Sequence, residues 1–339
     1  MSLSLSRRRL LATPAGVVAL PGASAAASIA DNKALPLWRG DYWAMKERGS
    51  EKIWLAMYRK RPGAPHPGEQ PLPVLFLVHG SSNSALPSFD LTVHQQGDYS
   101  LMDALAQRGF DVWTMDHEGY GRSSRSSGNS DIASGVEDLK AAVDVIARET
   151  GQSRLHFFGE SSGALRAAAF AMARPERVDR LVLEAFTYTG KGSPTLAKRA
   201  GALDFYRTHN RRPRGRDMIR SIFTRDKSGT SDPAVAEALA DAELVYGETV
   251  PTGTYLDMTA NLPLVDPEKV LCPVQLVRGE YDGIATLDDL MDFYQKLPNG
   301  DRQLVTIPGA AHAVSLSLNR QMLWHVMAGF LTMPPRVNA

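Results

Sequence analysis

Short apolar segments alternate with amphipathic segments along most of the chain after residue 70. The apolar segments predict strands at residues 74–78, 112–116, 155–159, 181–185, 274–278 and 303–307. The amphipathic segments predict helices near residues 101–108, 134–149, 162–173 and 287–297, and a last one after residue 312. Strands that are apolar at nearly every position indicate a parallel sheet with helices packed on both faces.

Two further strands are predicted before this pattern begins, at residues 41–46 and 52–59, on either side of a turn at Gly49 and Ser50. The alternation of strands and helices stops after Phe186 and resumes at residue 274. We therefore predict one α/β core, residues 28–186 and 266–339. A helical cap, residues 187–265, is inserted between two strands of the core.

The first 27 residues have the order of an export signal. Three arginines, Arg7 to Arg9, precede an apolar stretch at residues 10–20, and small residues follow at 23–27. The arginine segment resembles a twin-arginine motif, so we expect the export machinery to deliver the protein to the periplasm or outside the cell. The apolar stretch is too short to span a bilayer, and no cysteine directly follows it, so no stable membrane anchor is expected. A disordered basic tail on a cytoplasmic protein is the alternative.

The composition is that of an ordinary globular protein, and it argues against several function classes. The chain has 339 residues, 43% hydrophobic and 22% charged, with a net charge of +1 and one cysteine, Cys272. A near-zero charge gives no reason to expect nucleic acid as a partner. One cysteine makes neither an internal disulfide nor a cysteine-based zinc site. Residues 1–27 hold three arginines and no acid, and the net charge without them is −2.

Charge is unevenly distributed within the predicted cap. Residues 190–230 carry 11 lysines and arginines against Asp204, Asp217 and Asp226, whereas residues 231–260 carry six acids and no lysine or arginine. We favour the interpretation that the two halves neutralise each other across a solvated surface, or simply face water. A basic rim that attracts an anionic substrate is the alternative.

Residues 159–163 read Gly-Glu-Ser-Ser-Gly, the one Gly-x-Ser-x-Gly motif of the chain. They follow an apolar strand and open the predicted helix at 162–173. This is the setting of a nucleophile elbow, a sharp strand-to-helix turn that projects a serine hydroxyl into a cleft. The residues two before and two after the serine approach each other there, so both positions need glycine. Ser161 is therefore the candidate nucleophile.

Four more segments, together with this motif, resemble the α/β-hydrolase superfamily over about residues 41–333. His79 and Gly80 end a strand as in the superfamily's oxyanion loop, and residues 116–123 match its Asp-x-x-Gly-x-Gly-x-Ser turn. Residues 279–282 resemble the strand end that carries the triad acid, and residues 309–312 the loop that carries the histidine. The resemblance implies a mostly parallel eight-stranded sheet flanked by helices, with an inserted cap, in an esterase- or lipase-like serine hydrolase.

The resemblance also implies the catalytic roles. Ser161 is the expected nucleophile, and His312 is the expected general base and then general acid. Of the eight histidines, His312 alone lies just past a predicted strand end, on a loop that can turn over the cleft. Asp282 is the expected acid that orients the imidazole, and Glu184, near the end of the preceding strand, is the alternative.

Backbone N–H groups are expected to stabilise the oxyanion of the tetrahedral intermediate. The resemblance assigns them to Ser162 and Ser81, with Ser82 as the alternative to Ser81. Glu160, beside the nucleophile, has two interpretations. It either orients a substrate amine or another side chain, or it forms a salt bridge; neither makes it a catalytic residue.

These features predict a serine hydrolase that cleaves a carboxylic ester of a small molecule through an acyl-enzyme, with no metal or organic cofactor. Serine at the elbow argues against the epoxide hydrolase and haloalkane dehalogenase relatives, which carry aspartate there. Amide, lactone and carbon–carbon bond hydrolysis use the same triad, so they stay alternatives, as do acyl transfer and a non-catalytic binding role. Five aromatic residues of the cap are candidates to line the pocket or pack the cap: Phe205, Tyr206, Phe223, Tyr246 and Tyr255.

Overall fold

The structure, a computed structural model, describes residues 36–334. The predicted export signal at residues 1–27 lies outside the described residues. The strands of the described part are β1 Leu37–Arg48, β2 Glu51–Pro62, β3 Val74–Val78, β4 Asp90–Thr92, β5 Asp98–Ser100, β6 Asp111–Met115, β7 Leu155–Glu160, β8 Val178–Glu184, β9 Arg211–Pro213, β10 Thr249–Pro251, β11 Val274–Gly279 and β12 Arg302–Ile307.

The α-helices of the same part are α1 Ala85–Phe89, α2 Leu101–Ala106, α3 Ile132–Thr150, α4 Ser162–Ala173, α5 Pro194–Ala200, α6 Leu203–Thr208, α7 Arg216–Thr224, α8 Pro233–Leu244, α9 Gly253–Leu256, α10 Leu287–Lys296 and α11 Arg320–Leu331. None of the helices within residues 36–334 combines the length and the apolar character needed to cross a membrane.

Eight strands form one sheet in the order β1-β2-β6-β3-β7-β8-β11-β12. The strand β2 runs antiparallel to both of its neighbours, and every pairing from β6 to β12 is parallel. This confirms the predicted mostly parallel eight-stranded sheet of an α/β-hydrolase fold.

Successive residues of the central strands are buried on opposite faces of the sheet. Phe76 and Phe157 belong to a core that includes α3, α4 and α10. Leu77 and Phe158, the next residues along the same two strands, belong to a second core that includes α2 and α11. Because helices cover both faces, both sets of positions must be apolar, and this is why the strands read as uninterrupted apolar segments.

Between β8 and β11 the chain leaves the sheet and forms helices α5 to α9 and a ribbon of β9 and β10. In the ribbon, Arg211 lies opposite Pro251 and Pro213 lies opposite Thr249. The prediction of a helical cap did not include this ribbon. Strands of three residues are too short to show an alternating pattern in the sequence, and their pairing joins segments far apart in the chain.

Residues 85–100 also differ from the predicted pattern, because they form the short helix α1 and the hairpin of β4 and β5. The helix contains Pro87 and has only five residues, so its sequence carries no helical periodicity. Leu91 and Tyr99 of the hairpin pack with Ile219 and Leu239 of α7 and α8. Tertiary packing therefore stabilises elements that local sequence preference would not.

Candidate active site

The chain turns sharply between β7 and α4, and Ser161 lies at the turn. Its backbone has a φ of 56° and a ψ of −121°, a conformation that a residue with a side chain adopts only at an energetic cost. A Cβ atom on Gly159 would lie 2.5 Å from the Gly163 carbonyl oxygen, and one on Gly163 would lie 2.1 Å from that of Val78. Close backbone approach therefore requires both glycines, as the elbow motif predicts.

Three side chains from separate loops form a hydrogen-bonded chain at this turn. Ser161 Oγ lies 3.0 Å from His312 Nε2, and His312 Nδ1 lies 2.9 Å from Asp282 Oδ1. They follow β7, β12 and β11, so the parallel strands present all three at the carboxyl edge of the sheet. All three residues are buried, with exposed fractions of 8% for Ser161, 7% for His312 and 5% for Asp282. The structure thus brings together three residues nominated from separate segments.

Asp282 is held in its ionised form. Burial by itself would raise the pKa of its carboxyl group, but the attraction and hydrogen bond of His312 and the N–H groups of Ile284 and Ala285 outweigh burial and lower it. Those two N–H groups donate to Asp282 Oδ1 at 2.8 Å and 3.1 Å. A fixed negative charge therefore faces the imidazole, and it would stabilise the imidazolium cation.

Glu184, the alternative acid, lies at the end of β8 and is fully buried. Its Oε1 accepts a hydrogen bond of 3.4 Å from the Val314 N–H, while the imidazole of His312 contacts Asp282. Burial, followed by repulsion from Glu160 and Asp282, holds the pKa of Glu184 well above its ordinary value. Of the two candidate acids, the geometry favours Asp282.

The two residues nominated for the oxyanion hole lie next to each other. Ser162 is the first residue of α4 and Ser81 is on the loop after β3. The Ser81 hydroxyl donates to Ser162 Oγ at 2.9 Å and lies 2.7 Å from Thr254 Oγ1. A Cβ on Gly80 would lie 2.8 Å from the Glu160 carbonyl oxygen, so the loop packs tightly on the elbow. The assignment of their N–H groups to the oxyanion stays a prediction.

His79, which precedes this loop, has a structural role. Its Nε2 accepts a hydrogen bond of 3.0 Å from the His117 N–H, and its Nδ1 lies 2.9 Å from the Gly80 carbonyl oxygen. Burial, and after it the neighbouring His117 and Arg166, lower the pKa of His79 well below its ordinary value. A neutral imidazole therefore links the ends of two neighbouring strands and helps to hold the loop after β3.

A serine on a strained elbow, hydrogen-bonded to an imidazole that a carboxylate orients, is an arrangement suited to nucleophilic attack on a carbonyl carbon. A family model described as "Serine aminopeptidase, S33" matches residues 92–317. The chain belongs to this family of α/β-hydrolases.

Known proteins resemble this hydrolase either in part of its sequence or in its fold. A 2-hydroxy-6-oxononadienedioate/2-hydroxy-6-oxononatrienedioate hydrolase from Paraburkholderia phymatum is 35% identical over 112 residues, which is 32% of this chain and 34% of the relative. The chain thus matches about a third of the length of such curated relatives. This likeness supports the hydrolase class.

Solved structures show the same fold. The esterase of Thermogutta terrifontis, with malate bound, has a TM-score of 0.62 at 19% identity over 86% of this chain and 98% of the esterase. The 2-hydroxy-6-oxo-6-phenylhexa-2,4-dienoate hydrolase of Rhodococcus sp. strain RHA1 has a TM-score of 0.60 at 19% identity over 87% of this chain and 99% of that hydrolase. At such identities the likeness concerns the fold alone.

A buried ion pair, which sequence reasoning missed, links the loop after β3 of the hydrolase to the segment between β8 and β11. Arg214 donates to the Ser82 carbonyl oxygen at 2.6 Å and to Glu243 Oε2 at 2.5 Å. Glu243 Oε1 accepts from the N–H and the hydroxyl of Ser84. Arg214 and Glu243 are almost completely buried, 2% and 1% exposed. In the sequence, the opposite charges of residues 190–230 and 231–260 indicated that ion pairs could form between them, but they do not reveal which residues pair.

Replacing Glu243 by glutamine is expected to destabilise the hydrolase by about 3 kcal/mol, because it leaves the buried Arg214 cation without its charge partner. Urea unfolding measures the change, and ester turnover reports whether the loop at Ser82 and Ser84 has moved. Glu237→Gln is the matched control on the same helix, since Glu237 pairs with Arg216 and Arg220 at the surface. This substitution should cost less than about 1 kcal/mol. An equal decrease in the free energy of unfolding for Glu243→Gln and Glu237→Gln would contradict the assigned role of the buried pair.

A narrow cavity of about 30 Å³ lies beside the elbow, and we call it the nucleophile pocket. Its polar lining residues are Ser81, Ser82, Asn83, Glu160, Ser161, Arg199, Arg225 and His312. An adjoining cavity of about 250 Å³, the outer cavity, shares Ser82, Arg199, Ile222 and Arg225 with it. Of the five aromatic candidates, Phe223 lines the nucleophile pocket, and Tyr206 and Tyr255 line the outer cavity.

Glu160 extends into the nucleophile pocket and accepts a hydrogen bond of 2.7 Å from the Ser315 hydroxyl. Within residues 36–334 the carboxyl group of Glu160 forms no salt bridge, so the hydrogen-bonding interpretation fits better than the ion-pair interpretation. Burial raises the pKa of Glu160, against the opposing effects of Ser315 and His312. The group is therefore a weak site for a cation.

Proposed function

We propose that the protein hydrolyses a carboxylic ester of a small molecule through an acyl-enzyme, with Ser161 as nucleophile. The observation that carries the proposal is the hydrogen-bonded chain from Ser161 through His312 to Asp282 beside a pocket. A serine hydroxyl is a weak nucleophile by itself, so an adjacent base is the feature that makes it reactive.

In the proposed reaction, His312 Nε2 removes the hydroxyl proton as Ser161 Oγ attacks the ester carbonyl carbon. The negative charge that develops on the carbonyl oxygen is stabilised by the N–H groups of Ser162 and Ser81. His312 then donates its proton to the departing alcohol, which leaves an acyl group on Ser161. A water molecule, activated by the same imidazole, releases the acid and restores the serine. Throughout, the carboxylate of Asp282 holds the imidazole in place.

The lining of the pocket favours an ester over the amino-terminal peptide bond suggested by the family description. An aminopeptidase must bind a substrate ammonium group, and a carboxylate is the natural partner for that cation. Among the residues of 36–334 that line the nucleophile pocket, Glu160 alone is acidic. Burial raises its pKa and so favours the neutral carboxyl group. Arg199 and Arg225 line the same pocket and would repel a substrate cation.

Carbon–carbon bond hydrolysis is the second candidate, and a specific likeness favours it. Three relatives, 34 to 35% identical to about a third of this chain, are named as 2-hydroxy-6-oxononadienedioate/2-hydroxy-6-oxononatrienedioate hydrolases. The same serine, histidine and aspartate arrangement can serve both chemistries. The bond that is cleaved must therefore be decided by experiment.

A substrate panel at one enzyme concentration tests the proposal. It contains ethyl pentanoate, the matched pentananilide, δ-valerolactone and a 2-hydroxy-6-oxo dienoate. We expect the ester to have the highest kcat/KM. A higher value for the dienoate would replace ester cleavage by carbon–carbon bond hydrolysis. A higher value for the anilide would favour the peptidase activity of the family description.

A further inference from the structure

The basic half of the cap is only partly neutralised by its acidic half. Arg214 pairs with Glu243, and Arg216 pairs with Glu237 and Asp241, as the predicted neutralisation of the two halves requires. Arg220 also pairs with Glu237, and Arg225 Nε lies 3.5 Å from Asp226 Oδ1. Within residues 36–334, Arg199 and Arg212 have no carboxylate partner, and both line the outer cavity.

Arg199 is half-buried and lies beside an aromatic ring that it shares with Arg212. Its guanidinium group lies 4.9 Å from the centre of the Tyr255 ring, and that of Arg212 lies 4.5 Å from the same ring. Within residues 36–334, neither arginine forms an ion pair with a carboxylate. Burial, and with it the charges of Arg225 and Arg212, lower the pKa of Arg199 to about 10. The group is still cationic at neutral pH, and a half-buried cation without a carboxylate partner is energetically unfavourable.

The positive charge of Arg199 lies at the same pocket as the nucleophile. Arg199 and Arg225 line the nucleophile pocket together with Ser161 and His312, and they also line the outer cavity. Lys198 and Arg212 also line the outer cavity, and of its lining residues in the described part of the chain four are basic and none is an aspartate or glutamate. A bound anion would supply the missing partner for Arg199. A guanidinium group suits a carboxylate especially well, because its planar fork donates two parallel hydrogen bonds.

We propose that the substrate is an anionic ester, a half-ester of a dicarboxylic acid, whose free carboxylate binds Arg199 and Arg225 while Ser161 attacks its ester carbonyl. The identity of the attacked bond rests on the proposed function, whereas the anion subsite rests on the arginines alone. Cleavage releases an alcohol and a dicarboxylate, and the oxygen of the second carboxyl group comes from water. Arg199 and Arg225 are thus specificity-determining residues for the acyl end of the substrate.

Two pairs of ethyl esters test the proposal, since the members of each pair differ only in a terminal carboxylate or methyl group. They are monoethyl glutarate with ethyl pentanoate, and monoethyl adipate with ethyl hexanoate. For at least one pair, we expect the wild-type enzyme to cleave the half-ester with a kcat/KM at least about tenfold higher than that of the neutral ester, as a charged hydrogen bond would provide. In Arg199→Gln the KM of that half-ester should rise about tenfold or more, with the neutral ester changed less than about twofold.

Two further variants separate a direct contact from a general charge effect. Arg199→Lys keeps the charge but loses the fork, so its KM for the half-ester should lie between those of the wild type and Arg199→Gln. Arg216→Gln removes one positive charge from the same cap at a surface ion pair, and should leave both esters unchanged. An equal rise in the KM of the half-ester in Arg199→Gln and Arg216→Gln would overturn the proposal. So would a wild-type enzyme that does not prefer the half-ester to the neutral ester.

Binding separates a failure of this inference from a failure of the proposed function. Calorimetric titration with glutarate measures the anion subsite without catalysis. We expect glutarate to bind the wild type and Arg216→Gln equally and Arg199→Gln at least about tenfold more weakly. If no ester is cleaved but this pattern holds, the proposed reaction is wrong and the anion subsite stands. If esters are cleaved but glutarate binds all variants alike, the subsite is wrong.

Discussion

Replacing Ser161 by alanine is expected to lower kcat for the ester by about a millionfold, the loss seen when the nucleophile of a serine hydrolase triad is removed. The hydroxyl 3.0 Å from His312 Nε2 disappears, and the imidazole then has no group to deprotonate for the formation of an acyl-enzyme. Steady-state turnover of ethyl pentanoate measures the loss. Intact-mass analysis after treatment with a fluorophosphonate should show one adduct on the wild type and none on the variant.

Ser162→Ala is the matched control, because Ser162 is the neighbouring residue and also carries a hydroxyl. Its side chain contacts Ser81 Oγ, whereas the group nominated for the oxyanion is its backbone N–H, which alanine keeps. Loss of one such side-chain hydrogen bond costs about 1 kcal/mol, so Ser162→Ala should stay reactive toward the fluorophosphonate. If Ser161→Ala retained activity within about tenfold of the wild type, Ser161 would not be the nucleophile.

Replacing Asp282 by asparagine is expected to lower kcat about ten-thousandfold, because the uncharged amide favours the wrong imidazole tautomer and no longer stabilises the imidazolium cation. Glu184→Gln should have a small effect by comparison. Burial raises the pKa of Glu184 well above its ordinary value and so favours the neutral carboxyl group, which glutamine resembles in charge and shape. Ester turnover of the two variants identifies the partner of His312, and a larger loss in Glu184→Gln would reverse the assignment.

The pH dependence of ester turnover is a second test of whether Asp282 is the partner of His312. The pKa of Asp282 is lowered below its ordinary value of about 3.9. As the pH falls, the Asp282 carboxylate should therefore stay charged until below about pH 4, and it should contribute no loss of activity above that pH. A wild-type activity loss near neutral pH that disappeared in Asp282→Asn, but not in Glu184→Gln, would contradict this expectation.

Much of the fold follows from patterns that are local in the chain. Helices cover both faces of the sheet, so Phe76 and Leu77 are both buried although they face opposite sides, and the resulting apolar segments are visible without coordinates. The elements that were missed are short. The helix α1 and the ribbon of β9 and β10 have three to five residues each, and they depend on contacts between distant segments rather than on local preference.

The chain by itself determined the elbow, because the steric need for Gly159 and Gly163 around Ser161 is expressed within five consecutive residues. It also nominated the loops that carry Asp282 and His312, since each follows a recognisable strand. Only the tertiary structure showed that Asp282, and not Glu184, contacts the imidazole of His312, because two carboxyl groups near neighbouring strand ends differ in their distance to that ring. It also showed which cap cations are neutralised and that Arg199 is not. Charge pairing and burial depend on three-dimensional proximity, which the order of residues does not specify.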